Sequence, residues 1–366
     1  MIGIIGGYGD VGLQAARTLQ AWGQYPLRLG GRNPAGARAS LEAEFPRAEW
    51  AGVDIEDHRS LASFLAGCRL IVNCAGPSHR TAARVAEICL AEGCHHVDAG
   101  VDKSLAALRG TPQNTAVVYA AGAVPGLSGL LPRWLAKSFE RVETLVFYSG
   151  ALDGFTASAA EDYLAGVADR DNEPLAAWKN GARRPAALRR RTGTALPFFP
   201  RQVTLYPYLD AEAELVAVSL ALRDGEWYMA VDGSHVPPVL EAVSAQFAAD
   251  PRGAVGRLGT AAGLDAAGRR KYINLLVQLG GIKDGAPAVR TLVLRAGRPS
   301  VLTGAVAAAA GIAVLEGEIP PGVRSLAELP DPDRIMVRLN GDKAVSRLQV
   351  LESSVDELLQ GVEGEV

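Results

Sequence analysis

Residues 1–12 read MIGIIGGYGDVG. Ile2, Ile4 and Ile5 form a short apolar run, and Gly7, Gly9 and Gly12 follow at G-x-G-x-x-G spacing. Residues 10–20 then place Val11, Ala15, Ala16 and Leu19 on one side of a helix, and Gly23 is suited to close it. Strand, glycine turn and helix in that order form the context of a dinucleotide-binding fingerprint. Gly7 would permit the tight turn, Gly9 would let backbone N–H groups approach a pyrophosphate, and Gly12 would let helix and strand pack closely. The helix N-terminus, with free N–H groups and a favourable dipole, would carry the pyrophosphate. Tyr8, Asp10 and Val11 fall inside the same turn and are expected to line it.

The next hundred or so residues alternate strand and helix. A second strand, PLRLG at 26–30, ends in Gly31-Arg32-Asn33. An NAD-selective site usually carries an acid roughly 20 residues after the glycines to bond the ribose 2′-hydroxyl. Residues 24–41 contain no acid but do contain Arg28, Arg32 and Arg38. A guanidinium suits a 2′-phosphate, so Arg32 and Asn33 point to NADP rather than NAD. A helix is expected over 38–45 and a third strand over 48–53, ending at Asp54. Asp54 could bond the adenine amino group, or Asp54 or Asp57 could cap the helix that follows. LIVNCA at 70–75 is a strand buried on both faces, and Ala75-Gly76 stands where such sheets face the nicotinamide. His79 opens the next helix. HHVDA at 95–99 delivers Asp98 to a strand end, followed by Asp102; each could orient a base or cap the next element. AVVYAA at 116–121 is the sixth strand.

The whole chain has 366 residues and a formal net charge of −3. That length suggests two or three domains, and that charge gives no indication of nucleic acid or an acidic membrane as partner. Cys68, Cys74, Cys89 and Cys94 contain no C-x-x-C pair, so buried free thiols are expected rather than a metal centre, despite His95 and His96. No apolar run is long enough to span a bilayer, and the first residues already belong to a core strand, so a cytoplasmic protein without a signal peptide is expected.

The second half changes character. A strand over 142–148 and a helix over 157–167 are expected. Residues 168–201 hold Arg183, Arg184, Arg189, Arg190 and Arg191, either a lid offering arginines to a carboxylate or a solvated loop. Residues 213–221 and 226–231 flank an Asp-Gly hairpin signal, as 335–339 and 344–350 flank Asn340-Gly341. Helices are expected over 236–248, 267–279 and 303–315, a strand over 289–294, and a last short helix ending near Gly361. The expected fold class is α/β: an N-terminal Rossmann doubly wound parallel sheet over 1–123, with an α+β substrate and dimerisation domain with a mixed sheet over 124–330. Residues 331–366 would form a hairpin and helix that could return to the first domain. The active site would face the strand C-termini in the cleft between the domains.

IGIIGGYGDVG with LRLGGRN resembles the start of saccharopine dehydrogenase-like proteins. Cys74-Ala75-Gly76-Pro77 resembles their A-G-P segment and His96-Val97-Asp98 their (H/Y)-V-D segment; the usual tyrosine there is His96. GAVPGLSG at 122–129 resembles the turn opening their second domain, and GEIPP at 317–321 a late G-x-x-P-P segment. The resemblance implies a Rossmann domain, NAD(P)H as cofactor, and interconversion of imines and amines. A small, amino-acid-derived substrate and a homodimer are expected from it. The nicotinamide carries the hydride, so one acid that protonates nitrogen would suffice. His79, Asp98, Asp102, Tyr148 and Tyr163 are the candidates. An enoyl or carbonyl reductase on the same scaffold, or a non-enzymatic NADP-binding sensor, are the competing functions.

Overall fold

A computed structural model of the chain describes residues 1–23, 25–110, 114–169 and 171–363, with backbone alone at 244–246 and 361–363. The chain divides into two units, 1–127 with 300–344 and 128–299 with 345–366.

The first unit begins with β1 (Ile2–Ile5), α1 (Asp10–Trp22), β2 (Leu27–Gly31), α2 (Pro34–Leu41), β3 (Glu49–Gly52) and α3 (His58–Leu65). It continues with β4 (Leu70–Asn73), α4 (Ser78–Ala91), β5 (His95–Asp98), a 3-10 turn over Lys103–Leu108, and β6 (Ala116–Tyr119). Local chemistry sets several starts. Asn33 accepts from Gly36 N–H with Pro34 in the first turn of α2, and Asp57 accepts from Arg59 N–H to cap α3. That cap starts α2 at Pro34, four residues before the start expected from apolar spacing.

Helix α5 (Leu127–Ala136) opens the second unit. Then come β7 (Arg141–Leu152), α6 (Ala157–Val167), β8 (Glu173–Pro174), β9 (Ala177–Lys179), β10 (Ala182–Arg184), β11 (Arg191–Thr194) and β12 (Val203–Leu209). Next are α7 (Ala211–Ser219), β13 (Asp224–Val231), α8 (Val236–Glu241), α9 (Val243–Ala249), α10 (Pro251–Ala266), β14 (Tyr272–Lys283) and β15 (Ala286–Ala296). The chain returns to the first unit through α11 (Pro299–Leu315), β16 (Gly322–Ser325) and α12 (Asp333–Leu339). It finishes in the second with β17 (Val345–Leu351) and α13 (Val355–Glu363).

The first unit's sheet runs β16-β6-β5-β4-β1-β2-β3, with parallel pairing throughout. The strand order reverses between β1 and β4, both fully buried. In an open parallel sheet this switch point is where ligands bind, outside the strand C-termini. Ile5, Val53, Leu61, Phe64, Ile71, Val85 and Cys89 form one core beneath it. The second unit's sheet has the spine β10-β9-β13-β7-β14-β15-β17, with β12 beside β13 and carrying β8 and β11. Its pairings are antiparallel except β13 with β7. Both sheets answer to the α/β class read from the sequence.

Several expected elements differ, for physical reasons. Residues 211–219 are helical because Asp210 accepts from Ala213 N–H at 2.8 Å and Glu212 and Glu214 sit in the first turn. No hairpin forms there, since β13 runs parallel to β7. Within 267–279, residues from Tyr272 onward form strand rather than helix: β14 pairs on both sides, with β7 and β15. A central strand shows a continuous apolar run that periodicity does not separate from a buried helix. The helix at 251–266, capped by Asp250 with Pro251 in its first turn, was absent from the sequence reading, as was β12. Residues 333–339 form α12 rather than a hairpin strand, while 345–351 do form a strand, against β15.

The division also differs from the expected one. Residues 300–344 cluster with the first unit, and 345–366 with the second rather than the first. Helix α11 explains the former. A Cβ at Gly304 would lie 2.5 Å from Val11 O and 2.8 Å from Ala15 N, so α11 packs backbone to backbone on α1.

Candidate dinucleotide site

The turn after β1 is drawn tight by backbone bonds: Gly9 N–H donates to Gly6 O at 2.9 Å and Gly7 N–H to Gly30 O at 2.9 Å. The left-handed residue is Gly6, at φ 71°, rather than Gly7. Gly7 serves packing, since a Cβ there would sit 2.9 Å from Ile4 O and 3.2 Å from Leu29 Cα. A Cβ on Gly12 would lie 2.2 Å from Gly6 O, so only glycine lets α1 approach the strand this closely. Gly9 is different. Its Cβ would meet a single protein atom within 4 Å, Gly6 O at 3.3 Å. The space over Gly9 is therefore open, and it adjoins the start of α1, whose N-cap offers no side-chain hydrogen bond. Asp10 is in the first turn and Val11 in the second position of that helix. An open cradle at an uncapped helix N-terminus fits a pyrophosphate.

Tyr8 spans the ends of β1 and β2. Its ring covers Gly31, where a Cβ would come within 2.5 Å of it, and its hydroxyl accepts from Asn33 N–H at 3.0 Å. Burial raises the Tyr8 phenol above its ordinary value, opposed by that bond and by the Arg32 charge. Arg32 is exposed, and among the described residues no carboxylate pairs with it. The other two arginines are committed elsewhere. Arg28 binds Glu49, Phe64 O and Ala66 O, and Arg38 binds Glu42. The Asn33 side chain caps α2. Asp54, at the end of β3, is exposed and accepts from Glu56 N–H at 3.0 Å; the α3 cap is Asp57.

On the other side of the switch point, the turn after β4 is locked in place. Ala75 N–H donates to Asn73 Oδ1 at 3.2 Å, and Thr81 Oγ1 donates to Pro77 O at 3.2 Å. Gly76 follows, and a Cβ at Gly6 would sit 3.0 Å from the Cys74 and Ala75 backbone, so the two turns touch. Asp98 is buried. Its Oδ2 accepts from Asn73 Nδ2 at 2.7 Å and its Oδ1 from Gly100 N–H at 2.8 Å, which ties the ends of β4 and β5 together. Asp102 accepts from Ser104 N–H at 2.9 Å and Ala83 N–H at 3.1 Å, capping the 3-10 turn. His79 is exposed in the first turn of α4, and its Nε2 accepts from Arg80 Nε at 3.4 Å. Gly6 and Asn73 were missed in the sequence. Gly6 was visible as an extra glycine before the motif, and Asn73 as the one polar residue in an apolar strand.

Tyr148 and Tyr163 belong to the second unit. Tyr148 is buried and stacks on Tyr228 at 5.3 Å between centroids. Burial raises its phenol, opposed by Arg191. Tyr163 donates its hydroxyl to Met229 Sδ at 2.6 Å, and burial raises its phenol strongly. Three of the arginines at 183–191 are engaged within the unit. Arg183 binds Glu173 and Glu214, Arg190 binds Glu241, and Arg191 lies 5.0 Å over the Tyr228 ring. Among the described residues there is no group of three or more metal-ligating side chains, the four cysteines are free, and no helix is long and apolar enough to cross a membrane.

Residues 2–123 match the family described as the saccharopine dehydrogenase NADP binding domain. No curated protein sequence matches the chain significantly. Among solved structures, saccharopine dehydrogenase (L-Glu forming) from Saccharomyces cerevisiae is similar over 96% of this chain and 99% of that one, at a TM-score of 0.72 and 16% identity. DAP dehydrogenase from C. glutamicum aligns over 98% of both chains at a TM-score of 0.48 and 13% identity. An amine dehydrogenase from Mycobacterium smegmatis covers 90% of this chain and 96% of its own, at 0.47 and 12%. Residues 2–123 thus form a saccharopine dehydrogenase NADP-binding domain, and the chain as a whole has the fold of the yeast saccharopine dehydrogenase.

Proposed function

We propose that this protein uses NADPH in preference to NADH to reduce a C=N bond, in a Schiff base of an amino acid and an oxo acid or in a cyclic imine. The observation that carries the cofactor reading is the open backbone over Gly9 at the uncapped start of α1, with the Arg32 charge felt at neighbouring Tyr8. The turn at 6–12 would hold the pyrophosphate, and Arg32 the 2′-phosphate in a stretch without a competing acid. The cofactor, when bound, supplies the hydride. The chain's residues then have to bind, orient and exclude water.

Support for imine chemistry comes from the family of the first unit and from a fold shared with the yeast enzyme over nearly the whole length. Among the proton-donor candidates, Asp98 and Asp102 use both oxygens to accept N–H groups, and the Tyr163 hydroxyl is engaged by Met229. His79, exposed beside the turn after β4, is the first-unit residue best placed to deliver a proton. The substrate is small and amino-acid derived, and the working form is a cytoplasmic homodimer.

The test is a titration with both cofactors. Arg32→Ala is expected to weaken NADPH roughly tenfold to a hundredfold, the scale of a lost charge-assisted phosphate contact, and to leave NADH nearly unchanged. Equal losses for both would remove the NADPH preference. Screening imines formed from amino acids and oxo acids then tests the reaction: turnover of a carbonyl or enoyl substrate with none of any imine would overturn it.

A further inference from the structure

Two polar side chains meet where the first unit's sheet is otherwise apolar. Asn73 ends β4 and Asp98 ends β5, both are fully buried, and the parallel register sets them side by side. Asp98 Oδ2 accepts from Asn73 Nδ2 at 2.7 Å and its Oδ1 from Gly100 N–H at 2.8 Å, while Asn73 Oδ1 accepts from Ala75 N–H at 3.2 Å. His96 lies alongside, its Nε2 3.4 Å from Asp98 Oδ2 without a hydrogen bond. The pair is therefore a bridge with one peptide N–H at each end, one in the turn after β4 and one in the loop after β5. A buried polar group deprived of its partner is costly, so the bridge holds both loops to one arrangement.

Those loops are wedged against their neighbours. A Cβ at Gly100 would lie 2.3 Å from Ser78 Oγ, so the loop after β5 packs on the start of α4. A Cβ at Gly6 would lie 3.0 Å from the Cys74 and Ala75 backbone, so the turn after β4 packs on the glycine turn. Asn73 is the side chain that ties this turn to the rest of the sheet. In such a sheet the pyrophosphate lies at the glycine turn and the nicotinamide end faces the turn after β4. The adenosine half lies toward β2, where Tyr8 and Asn33 fix the backbone without help from the bridge. Being fully buried, Asn73 and Asp98 act on a bound molecule only through the backbone they hold.

We propose that Asn73 and Asp98 are positioning residues for the nicotinamide half of the cofactor. This rests on the dinucleotide reading above. The experiment titrates the full chain with NADPH and with adenosine 2′,5′-bisphosphate, which lacks the nicotinamide half. Asn73→Ala should weaken NADPH roughly tenfold and reduce its fluorescence enhancement. Affinity for the bisphosphate should stay within about twofold, which also shows that the variant folds. Asp98→Asn, which leaves no buried charge unpaired, should act in the same way. The exchanged pair Asn73→Asp with Asp98→Asn can remake all three bonds, and should restore NADPH binding. Unchanged NADPH affinity in both single variants, equal losses for the two ligands, or an exchanged pair no better than the singles would each overturn the inference alone. A parent protein that binds neither ligand would overturn the dinucleotide reading and this inference with it.

Discussion

Gly9 and Gly12 belong to the same motif, but a methyl group added to each would meet very different surroundings. On Gly12 it would lie 2.2 Å from Gly6 O and 2.9 Å from Gly7 Cα, both backbone atoms that cannot swing aside. On Gly9 it would touch only Gly6 O, at 3.3 Å. Gly12→Ala is therefore expected to destabilise the fold by at least about 2 kcal/mol, read as a lower midpoint in urea. Gly9→Ala should change stability by no more than about 1 kcal/mol and instead weaken NADPH binding, because its methyl group enters the pyrophosphate approach. Comparable destabilisation in the two variants would mean that Gly9 serves packing and would remove the reason for placing the pyrophosphate there. The spacing of the motif was plain in the sequence. The surroundings of Gly7 and Gly6, by contrast, come from Leu29 and Gly30 on β2 and from Cys74 and Ala75 in the turn after β4, all distant along the chain.

At the scale of elements, caps decide where helices begin, and one cap in the second unit is a buried charge. Asp265, at the end of α10, accepts from Ser234, His235 and Val236 N–H at the start of α8, and pairs with His235 Nδ1 at 2.7 Å. Burial would raise its carboxyl, but the His235 bond and the backbone N–H groups outweigh that and hold it below its ordinary value. A carboxyl lowered on folding contributes stability in full above its unfolded value, and that stability is lost as pH falls through the folded value. Asp265→Ala should thus cost about 2–3 kcal/mol at neutral pH, and the difference from the parent protein should shrink as the solution is made acid enough to protonate the native carboxyl. Urea melts at a series of pH values check this, and a difference that stays constant or grows in acid would contradict the assignment. No pattern in the sequence links residue 265 to residues 234–236, and so this cap was not foreseen.

At the scale of the whole molecule, the chain crosses between its units more than once. Residues 300–344 complete the first unit: α11 is almost entirely buried there, and β16 adds to the sheet beside β6. Residues 2–123 match a domain family by themselves, yet in this protein they lack that helix and that strand. A fragment of residues 1–123 is expected to show no cooperative thermal transition by circular dichroism and no measurable NADPH binding. Joining residues 300–344 to it through a flexible linker should restore both. A fragment that melts cooperatively and binds NADPH without them would show that α11 covers a core already complete.

The sequence by itself determined the strand–turn–helix start, the alternation of the first 123 residues and the helix over 303–315, because these are local patterns of spacing and composition. It also carried the acid-free stretch at 24–41 on which the proposed NADPH preference rests. Only the tertiary structure decided which unit claims α11 and β17, that 272–283 is a central strand, and which acids are consumed as caps. Partners separated by tens or hundreds of residues set those outcomes. A fully buried strand loses the alternation that identifies it, and a carboxylate at a strand end reads the same whether it holds backbone N–H groups or faces a substrate. Arg295 and Arg347 lie far apart along the chain, and only the pairing of β15 with β17 sets them opposite each other.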